Sequence, residues 1–291
     1  MLPLFIILLI ILTAAGVFFS RPPVLVVTDA SFYQIYGSRR FTLALARNSL
    51  QLFRRVIPVP VSETAGPDIL SLVVESAAET PYAVIFPRRY LEGARHYTVN
   101  RPQVPVFVMW GRGPLLPFAQ YEGLIFVRTD TAADLFRAGL AAAVLTEQEY
   151  GVLFFTDGNL HEPYLEAFGQ GLYAQGFSDD PIHLDSDLDH VSYSNIGCVV
   201  VAGAAVRFLE RDLEIPVILF SWIDPILTPR SVRIVFDDSP LALISAALRA
   251  VPPDSYQIRV PSRATVISAR TEARREFREL RGLISGNLQN K

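Results

Sequence analysis

Acidic, aromatic and guanidinium side chains recur directly after the predicted strands of this chain. After the first, fourth, fifth, sixth, eighth and ninth strands they are, in order, Asp29, Phe32 and Tyr33; Trp110 and Arg112; Asp130; Asp157 and Asn159; Trp222 and Asp224; Asp237 and Asp238. An open parallel sheet binds its ligand at the carboxyl ends of its strands, in a site lined by aromatic faces and a few polar groups. Any single acid is more simply a helix cap or turn residue. The repetition predicts a cleft for a small polar ligand.

The motifs of common enzyme and cofactor sites are missing from the sequence. No G-x-G-x-x-G joins the first predicted strand to a helix, and Gly111-Arg112-Gly113 is followed by proline instead of a helix start. There is no P-loop, no G-x-S-x-G and no H-E-x-x-H. The four histidines are scattered, with no two at i,i+4, which argues against a metal cluster. We therefore expect no cofactor and no metal, and an enzyme is the least favoured alternative.

Short apolar, β-branched segments alternate with helical stretches from Pro23 onward. The strand candidates are 24–28, 56–61, 83–86, 104–110, 124–127, 152–155, 198–202, 217–220 and 232–236. Apolar residues at helical spacing fill 42–53, 132–145, 163–175, 204–213 and 241–250. This alternation is typical of βαβ units around a parallel sheet that is buried on both faces. It predicts an α/β fold, and nine strands suggest two sheets.

Capping residues and the C-terminal tail give further local predictions. Asp130 precedes the alanine-rich helix, and Ser239-Pro240 precedes 241–250, which supplies a capping oxygen and a proline at the first helical position. Residues 256–271 look extended, and alternating arginine and glutamate predict a charged helix from about 272 to 283. We expect that helix to be solvated and stabilised by its own ion pairs, with a partner-binding role as the alternative.

The overall composition excludes several classes of protein. Hydrophobic residues make up 51% of the 291 residues, charged residues 19%, and the net charge is -3. Disordered chains are poor in apolar residues and strongly charged, and a nucleic-acid-binding protein needs a basic excess that is lacking here. The single cysteine, Cys198, excludes an internal disulfide and suggests a small buried hydrophobe.

The first twenty residues carry no charged side chain and are almost wholly apolar. Leu2 to Ser20 approaches the roughly 20 apolar residues that a helix needs to cross a bilayer. A cleaved signal peptide is the alternative, although the segment has no basic residue before it and only Ala14, Ala15 and Gly16 as cleavage candidates. We expect residues 2–20 to contact the membrane as a retained anchor. The charge rule alone would mildly favour a cytoplasmic body.

Five motifs, in order along the chain, give the body a resemblance to a known family. They are Asp29 with Phe32-Tyr33; Pro105-Val-Phe-Val-Met-Trp110-Gly-Arg112; Asp130 with Ala138-Gly139; Tyr150-Gly-Val-Leu-Phe-Phe-Thr-Asp157 with Ala167-Phe168-Gly169; and Val260-Pro-Ser-Arg-Ala-Thr-Val-Ile-Ser-Ala-Arg270. Together they resemble the type I periplasmic-binding-protein superfamily, particularly LacI-type effector-binding domains and sugar-binding proteins, over about residues 23–272. The chain departs from the pattern at the acid that would precede Arg112 and at the arginine that would precede Gly169. The apolar segment stands where the repressors carry their DNA-binding headpiece, so DNA binding is not implied.

The resemblance implies two Rossmann-like lobes joined by three crossings, with a ligand between them and hinge closure on binding. The expected divisions are 1–21 as anchor or signal segment, 22–127 plus 228–253 as lobe 1, 128–227 plus 254–272 as lobe 2, and 273–291 as charged helix and tail. The implied ligand-binding residues are Asp29, Phe32, Tyr33, Arg112, Asp130 at the hinge, Asp157, Trp222 and Asp237.

The resemblance also implies a function and a location. The expected function is a solute-binding protein for a sugar, nucleoside or related metabolite, which serves a membrane transporter or a signalling protein. The expected location is the cell membrane with the body outside or in the periplasm, or the periplasm itself if the segment is cleaved. The alternative is a fold that has lost its pocket and acts as an extracytoplasmic interaction or scaffold domain.

Overall fold

A computed structural model gives the fold of the protein. It describes residues 2–112, 121–146, 150–156, 162–184, 193–202, 214–220, 231–249, 256–266 and 282, without the side chains of 2–5, 32–38 and 40. The helices are α1 (Leu2–Ser20), α2 (Ala30–Leu52), α3 (Pro67–Ala77), α4 (Leu91–Asn100), α5 (Thr131–Leu145), α6 (Glu162–Ala174) and α7 (Pro240–Arg249). The strands are β1 (Val24–Thr28), β2 (Val56–Pro60), β3 (Ala83–Pro87), β4 (Val106–Gly111), β5 (Leu124–Thr129), β6 (Gly151–Phe155), β7 (Ile182–Leu184), β8 (Ile196–Val201), β9 (Val217–Phe220), β10 (Val232–Asp237), β11 (Gln257–Val260) and β12 (Arg263–Val266).

The chain forms two compact units. The first contains 1–129 and 240–260, and the second contains 130–239 and 261–291. The chain therefore passes from one unit to the other three times, at 129–130, 239–240 and 260–261. Each unit has its own six-stranded sheet, so the predicted α/β class with two mostly parallel sheets is confirmed.

The first unit is built on a sheet with the strand order β11-β5-β4-β3-β1-β2, in which every pair is parallel. Alternate strand residues pack on opposite faces: Val24 and Val26 face the side of α2 and α7, whereas Leu25 and Val27 face the side of α3 and α4. Because helices cover both faces, every residue of β1 is buried. This explains the continuous apolar runs that predicted the strands.

The second unit repeats this plan with the order β12-β10-β9-β8-β6-β7. Its pairs are parallel except for the edge pair of β10 with β12, which is antiparallel. The helices α5 and α6 pack against its core. They approach closely because an added Cβ at Gly139 would overlap the carbonyl oxygen of Phe168, and one at Gly171 would overlap that of Phe136.

The pairing of the last strands differs from the lobe boundaries expected from the sequence. β10 belongs to the second sheet, whereas 228–253 was expected in lobe 1, and the part of that range that joins the first unit begins at Pro240. β11 pairs with β5 in the first sheet, whereas 254–272 was expected in lobe 2. Both segments are short and extended, so hydrogen-bonding partners rather than local sequence decide which sheet they join.

The N-terminal helix α1 contains no charged residue, and the side chains of 6–12 are exposed. Near its C-terminal end the ring of Phe18 packs edge-on against Phe53, which directly follows α2, with centroids 5.7 Å apart. In the described part of the chain, no helix is long and apolar enough to span a bilayer. The membrane anchor expected at residues 2–20 stays a prediction.

Candidate ligand-binding site

The strand order of each sheet reverses at one point, and that point defines where a ligand crevice is expected. In the first unit, β2 and β3 lie on opposite sides of β1, so the reversal lies between β1 and β3. In the second unit, β7 and β8 flank β6 in the same way. Ligands of open α/β sheets bind outside the carboxyl ends of the strands at such a switch point. The residues that follow β1 and β3 are therefore the best-placed candidates in the first unit.

Asp29 follows β1 directly and is almost completely buried, at 2% exposure. Its carboxylate caps α2 by accepting hydrogen bonds from the backbone N–H and the hydroxyl of Ser31, at 3.0 and 2.8 Å. It also accepts a hydrogen bond of 2.6 Å from the hydroxyl of Tyr90 and forms an ion pair with Arg89. Asp29 thus ties the end of β1 to the residues that follow β3.

Arg88, Arg89 and Tyr90 form a short 3-10 turn directly after β3. The Arg89 guanidinium donates a hydrogen bond of 2.6 Å to the hydroxyl of Ser31, and its side chain is 40% exposed. The guanidinium of Arg88 lies over the ring of Trp110 on β4, 4.4 Å from its centroid. Trp110 itself is buried against Phe126. Three neighbouring strands therefore contribute to one polar, arginine-rich edge.

The phenol of Tyr90 titrates in this polar environment. Burial raises the pKa of Tyr90, the Arg89 guanidinium opposes this effect, and the Glu63 carboxylate adds to it. Because the pKa is raised from an ordinary value near 10, the hydroxyl is protonated at neutral pH and donates its hydrogen to Asp29. This hydrogen bond uses one more acceptor position of the carboxylate.

The switch points of the two units share a short sequence repeat. Val24-Leu-Val-Val-Thr28-Asp29 spans β1, and Val152-Leu-Phe-Phe-Thr156-Asp157 spans the equivalent strand β6. Thr28 and Thr156 are both buried, and their hydroxyls have no hydrogen-bond partner among the described residues. Buried hydroxyls are normally paired with protein or ordered water. The two equivalent threonines thus mark one buried polar position at each switch point.

A second buried polar network lies where the chain enters the second unit. Asp134, on the first turn of α5, is fully buried and forms an ion pair with Arg137, which is 6% exposed. Asp134 also accepts hydrogen bonds from the backbone N–H of Ser262, at 2.8 Å, and from its hydroxyl. Arg137 donates to the carbonyl oxygen of Ser262 at 2.7 Å and lies over the ring of Phe236, 5.1 Å from its centroid.

This network joins α5, which follows the first crossing between the units, to Ser262, which follows the third crossing. Burial raises the pKa of Asp134, while the Arg137 charge and the Ser262 hydrogen bonds oppose that effect. Arg137 keeps a buried Nε without a partner among the described residues. Because these groups are desolvated, removal of any one of them would lower the stability of the second unit.

The other residues predicted to bind ligand have varied positions. Asp130 caps α5 by accepting a hydrogen bond of 3.2 Å from the backbone N–H of Ala133. Asp237 ends β10 and accepts a hydrogen bond of 3.0 Å from the backbone N–H of Ser239. Arg112 follows β4 and is exposed.

The remaining four cannot be placed as side chains. Phe32 and Tyr33 lie on the first turns of α2, and their side chains are outside the described set. Asp157 and Trp222 lie outside the described residues altogether. Of the predicted set, Asp29 is thus placed by its side-chain contacts at the arginine-rich edge, and Arg112 follows β4 on the same edge.

Sequence reasoning missed Arg88, Arg89 and Tyr90, although it found the strand that precedes them. The rule that selected Asp29 and Arg112, which is a polar residue directly after a predicted strand, would also have selected Arg88-Arg89-Tyr90. The capping prediction at Ser239 also needs correction, because the Ser239 hydroxyl has no partner among the described residues. Pro240 does begin α7, as expected. Within the described ranges, no group of three or more His, Cys, Asp or Glu could hold a metal ion.

Comparison with known proteins identifies the class of fold. A transcriptional activator of the comK gene from Bacillus halodurans has a TM-score of 0.53 and 12% identity, over 91% of this chain and 98% of that one. An ABC transporter solute-binding protein from Conexibacter woesei has a TM-score of 0.53 and 12% identity, over 94% and 99%. A periplasmic ribose ABC transporter protein from the same organism has a TM-score of 0.50 and 13% identity, over 89% and 95%.

The fold is similar to that of these two transport-related binding proteins and this regulator, which agrees with the fold that the motif resemblance implied. No family model matches the sequence, and no curated protein matches it significantly. At 12–13% identity, the likeness to these structures extends to the fold alone.

Proposed function

We propose that the protein is an extracytoplasmic solute-binding protein whose two lobes close on a small polar ligand, such as a sugar or a nucleoside, for transport or sensing. The observation that carries this proposal is the concentration of polar and charged groups at the β1/β3 switch point. Asp29, Arg88 and Arg89 gather there from strands that are separated in sequence. Structural neighbours described as solute-binding and ribose transport proteins support a binding role.

The proposed role is binding without making or breaking bonds. The neighbours reported above are binding proteins and a regulator, and the sequence contains none of the catalytic motifs sought. The partner we propose is a membrane transporter or a signalling protein that recognises the ligand-bound protein. Seven residues remain proposed ligand contacts, namely Phe32, Tyr33, Arg112, Asp130, Asp157, Trp222 and Asp237.

Thermal denaturation of the full chain with a panel of sugars and nucleosides tests this function. A ligand present at a hundred times its Kd stabilises the protein by about 2.7 kcal/mol, which corresponds to a rise of about 5–10 °C in melting temperature. Trp222→Ala should reduce that rise without a matching change in the unliganded protein. If no member of the panel raises the melting temperature, the proposed function is wrong.

A scaffold domain is the competing function, and one observation favours it. The carboxylate of Asp29, a predicted ligand contact, is already occupied by Ser31, Tyr90 and Arg89. A protein-interaction domain with no ligand would show no response to the panel. It would also tolerate Trp222→Ala and Asp130→Ala without any loss of its partner.

A further inference from the structure

We propose that the ligand carries an anionic group, a carboxylate or a phosphate, which binds to Arg88 and Arg89 at the β1/β3 switch point. This inference rests on the proposed function and specifies its ligand. A neutral sugar offers hydroxyls that both donate and accept, so its sites need acceptors, commonly carboxylates, as well as donors. An anionic group only accepts hydrogen bonds, so its site needs donors and positive charge.

The only carboxylate placed between β1 and β3 in the described structure is not open to a ligand. Asp29 has no exposed side-chain surface and receives hydrogen bonds from Ser31 and Tyr90 as well as the Arg89 ion pair. Its oxygens are therefore used in positioning the neighbouring groups. The edge offers guanidinium donors to solvent instead of carboxylate acceptors.

Arg89 is held in place but keeps donors for a ligand. Its ion pair with Asp29 and its hydrogen bond to Ser31 both use the same nitrogen, Nη2. A guanidinium has five N–H donors in all, and the Arg89 side chain is 40% exposed, so part of the group faces solvent. Because Asp29 fixes the guanidinium, less conformational entropy is lost when those donors bind an anion. Asp29 is therefore a positioning residue for Arg89.

Arg88 is oriented by a different contact. Its guanidinium stacks over Trp110, which is 5% exposed and packed against Phe126. Stacking uses the face of the guanidinium and leaves the N–H groups around its rim, which is the geometry suited to oxyanions. No carboxylate of the described residues lies within ion-pair distance of Arg88, and the side chain is exposed.

The charges around the site favour an anion. Arg112 follows β4 on the same edge as Arg88 and Arg89, and Asp29 balances one of these three positive charges. Glu63 follows β2, on the far side of β1, and is close enough to Tyr90 to raise the pKa of that phenol. Asp29 offsets the charge of Arg89, and the exposed Arg88 beside it has no carboxylate of the described residues within ion-pair distance. An exposed arginine in this position attracts anions.

Matched pairs of neutral and anionic ligands test this inference on the full chain. The pairs are glucose with glucuronate, ribose with ribose phosphate, and uridine with uridine monophosphate, and inorganic phosphate is added alone. Titration calorimetry at low and high salt measures each Kd. We expect the anionic member of at least one pair to bind at least tenfold tighter, and added salt to weaken it. The carboxylate and phosphate arms distinguish the two sources of charge.

Variants locate the effect. Arg88→Gln should weaken the anionic ligand by about tenfold to a hundredfold, the usual worth of a charged hydrogen bond, and leave the neutral partner unchanged. Arg88→Lys should retain part of the affinity because it keeps the charge. Arg95→Gln is the matched control, since Arg95 is an exposed arginine of α4 with an ion pair of 3.9 Å to Glu92. Its affinity should equal that of the unmodified protein.

The outcomes separate this inference from the proposed function. If the neutral members bind as tightly as the anionic ones, or Arg88→Gln behaves like Arg95→Gln, the inference is wrong and the solute-binding function stands. If inorganic phosphate alone accounts for all the binding, the inference is also wrong, because the arginines then hold only a free ion. If no ligand of either kind binds, both proposals fail.

Discussion

Replacing Asp134 by alanine should destabilise the second unit by about 3 kcal/mol. Asp134 is fully buried and its partner Arg137 is 6% exposed, and removal of one member of a buried ion pair costs about 3–5 kcal/mol because the other charge is left unpaired. Arg137 would keep its hydrogen bond to the Ser262 carbonyl and its position over Phe236. These contacts offset part of the loss, which places the expected value at the lower end of that range.

Urea denaturation measures this loss. The chain has two tryptophans, Trp110 in the first unit and Trp222 in the second, so a Trp110→Phe background leaves fluorescence from the second unit alone. Domains of this kind have total stabilities of about 5–15 kcal/mol. A loss of 3 kcal/mol would therefore move the midpoint by about 1–3 M at ordinary urea slopes.

Two further variants control this experiment. Asp180→Ala removes an exposed carboxylate of the same unit that accepts a hydrogen bond from Tyr173, and should cost at most about 1 kcal/mol. Asp134→Ala combined with Arg137→Met removes both buried charges and should be no less stable than Asp134→Ala alone. The reasoning is refuted if Asp134→Ala costs no more than Asp180→Ala, or if the double variant shows the sum of two independent losses.

Two predictions concern the core of the second unit. Gly139→Ala should lower the free energy of unfolding by about 3 kcal/mol, because its methyl group meets the backbone oxygen of Phe168. Gly169→Ala should raise it by about 0.5–1 kcal/mol, because the nearest neighbouring atom is 3.9 Å away. Thermal melts that show equal effects of the two substitutions would contradict this. Burial raises the pKa of the Cys198 thiol, so a disulfide reagent at mildly alkaline pH should modify Cys198 only after unfolding, and rapid modification of the native protein would show that the thiol is accessible.

All nine strands predicted from the sequence are present, several with shifted ends. They were predictable because parallel strands covered on both faces are continuous apolar runs. The helix α3 was missed although Gly66-Pro67 marks its start. The helix α4 was missed because its buried face consists of Gly93, Ala94, Tyr97 and Thr98. Small and polar residues on a buried face give no apolar periodicity.

The candidate site was predictable in kind but not in detail. The sequence identified Asp29 as a polar residue at a strand end, and the resemblance made it a ligand contact. The structure places its carboxylate among Ser31, Arg89 and Tyr90, which makes it a support for the arginines. Arg89 is 60 residues away along the chain, so only the parallel pairing of β1 with β3 brings the two together.

The sequence by itself determined the α/β class, the strand positions, the absence of familiar catalytic motifs and the resemblance from which the fold was predicted. These properties are local, because residue type, periodicity and short motifs record which segments are buried. Only the tertiary structure decided the strand order, the sheet that each C-terminal strand joins and the switch point at which arginines gather. These properties depend on pairing between distant segments. Strands such as β11 and β12 have four residues each, and nothing in so short a sequence specifies the strand with which it pairs. The physical reason is that backbone hydrogen bonds are alike for every sequence, so the packing of the whole unit selects among possible pairings.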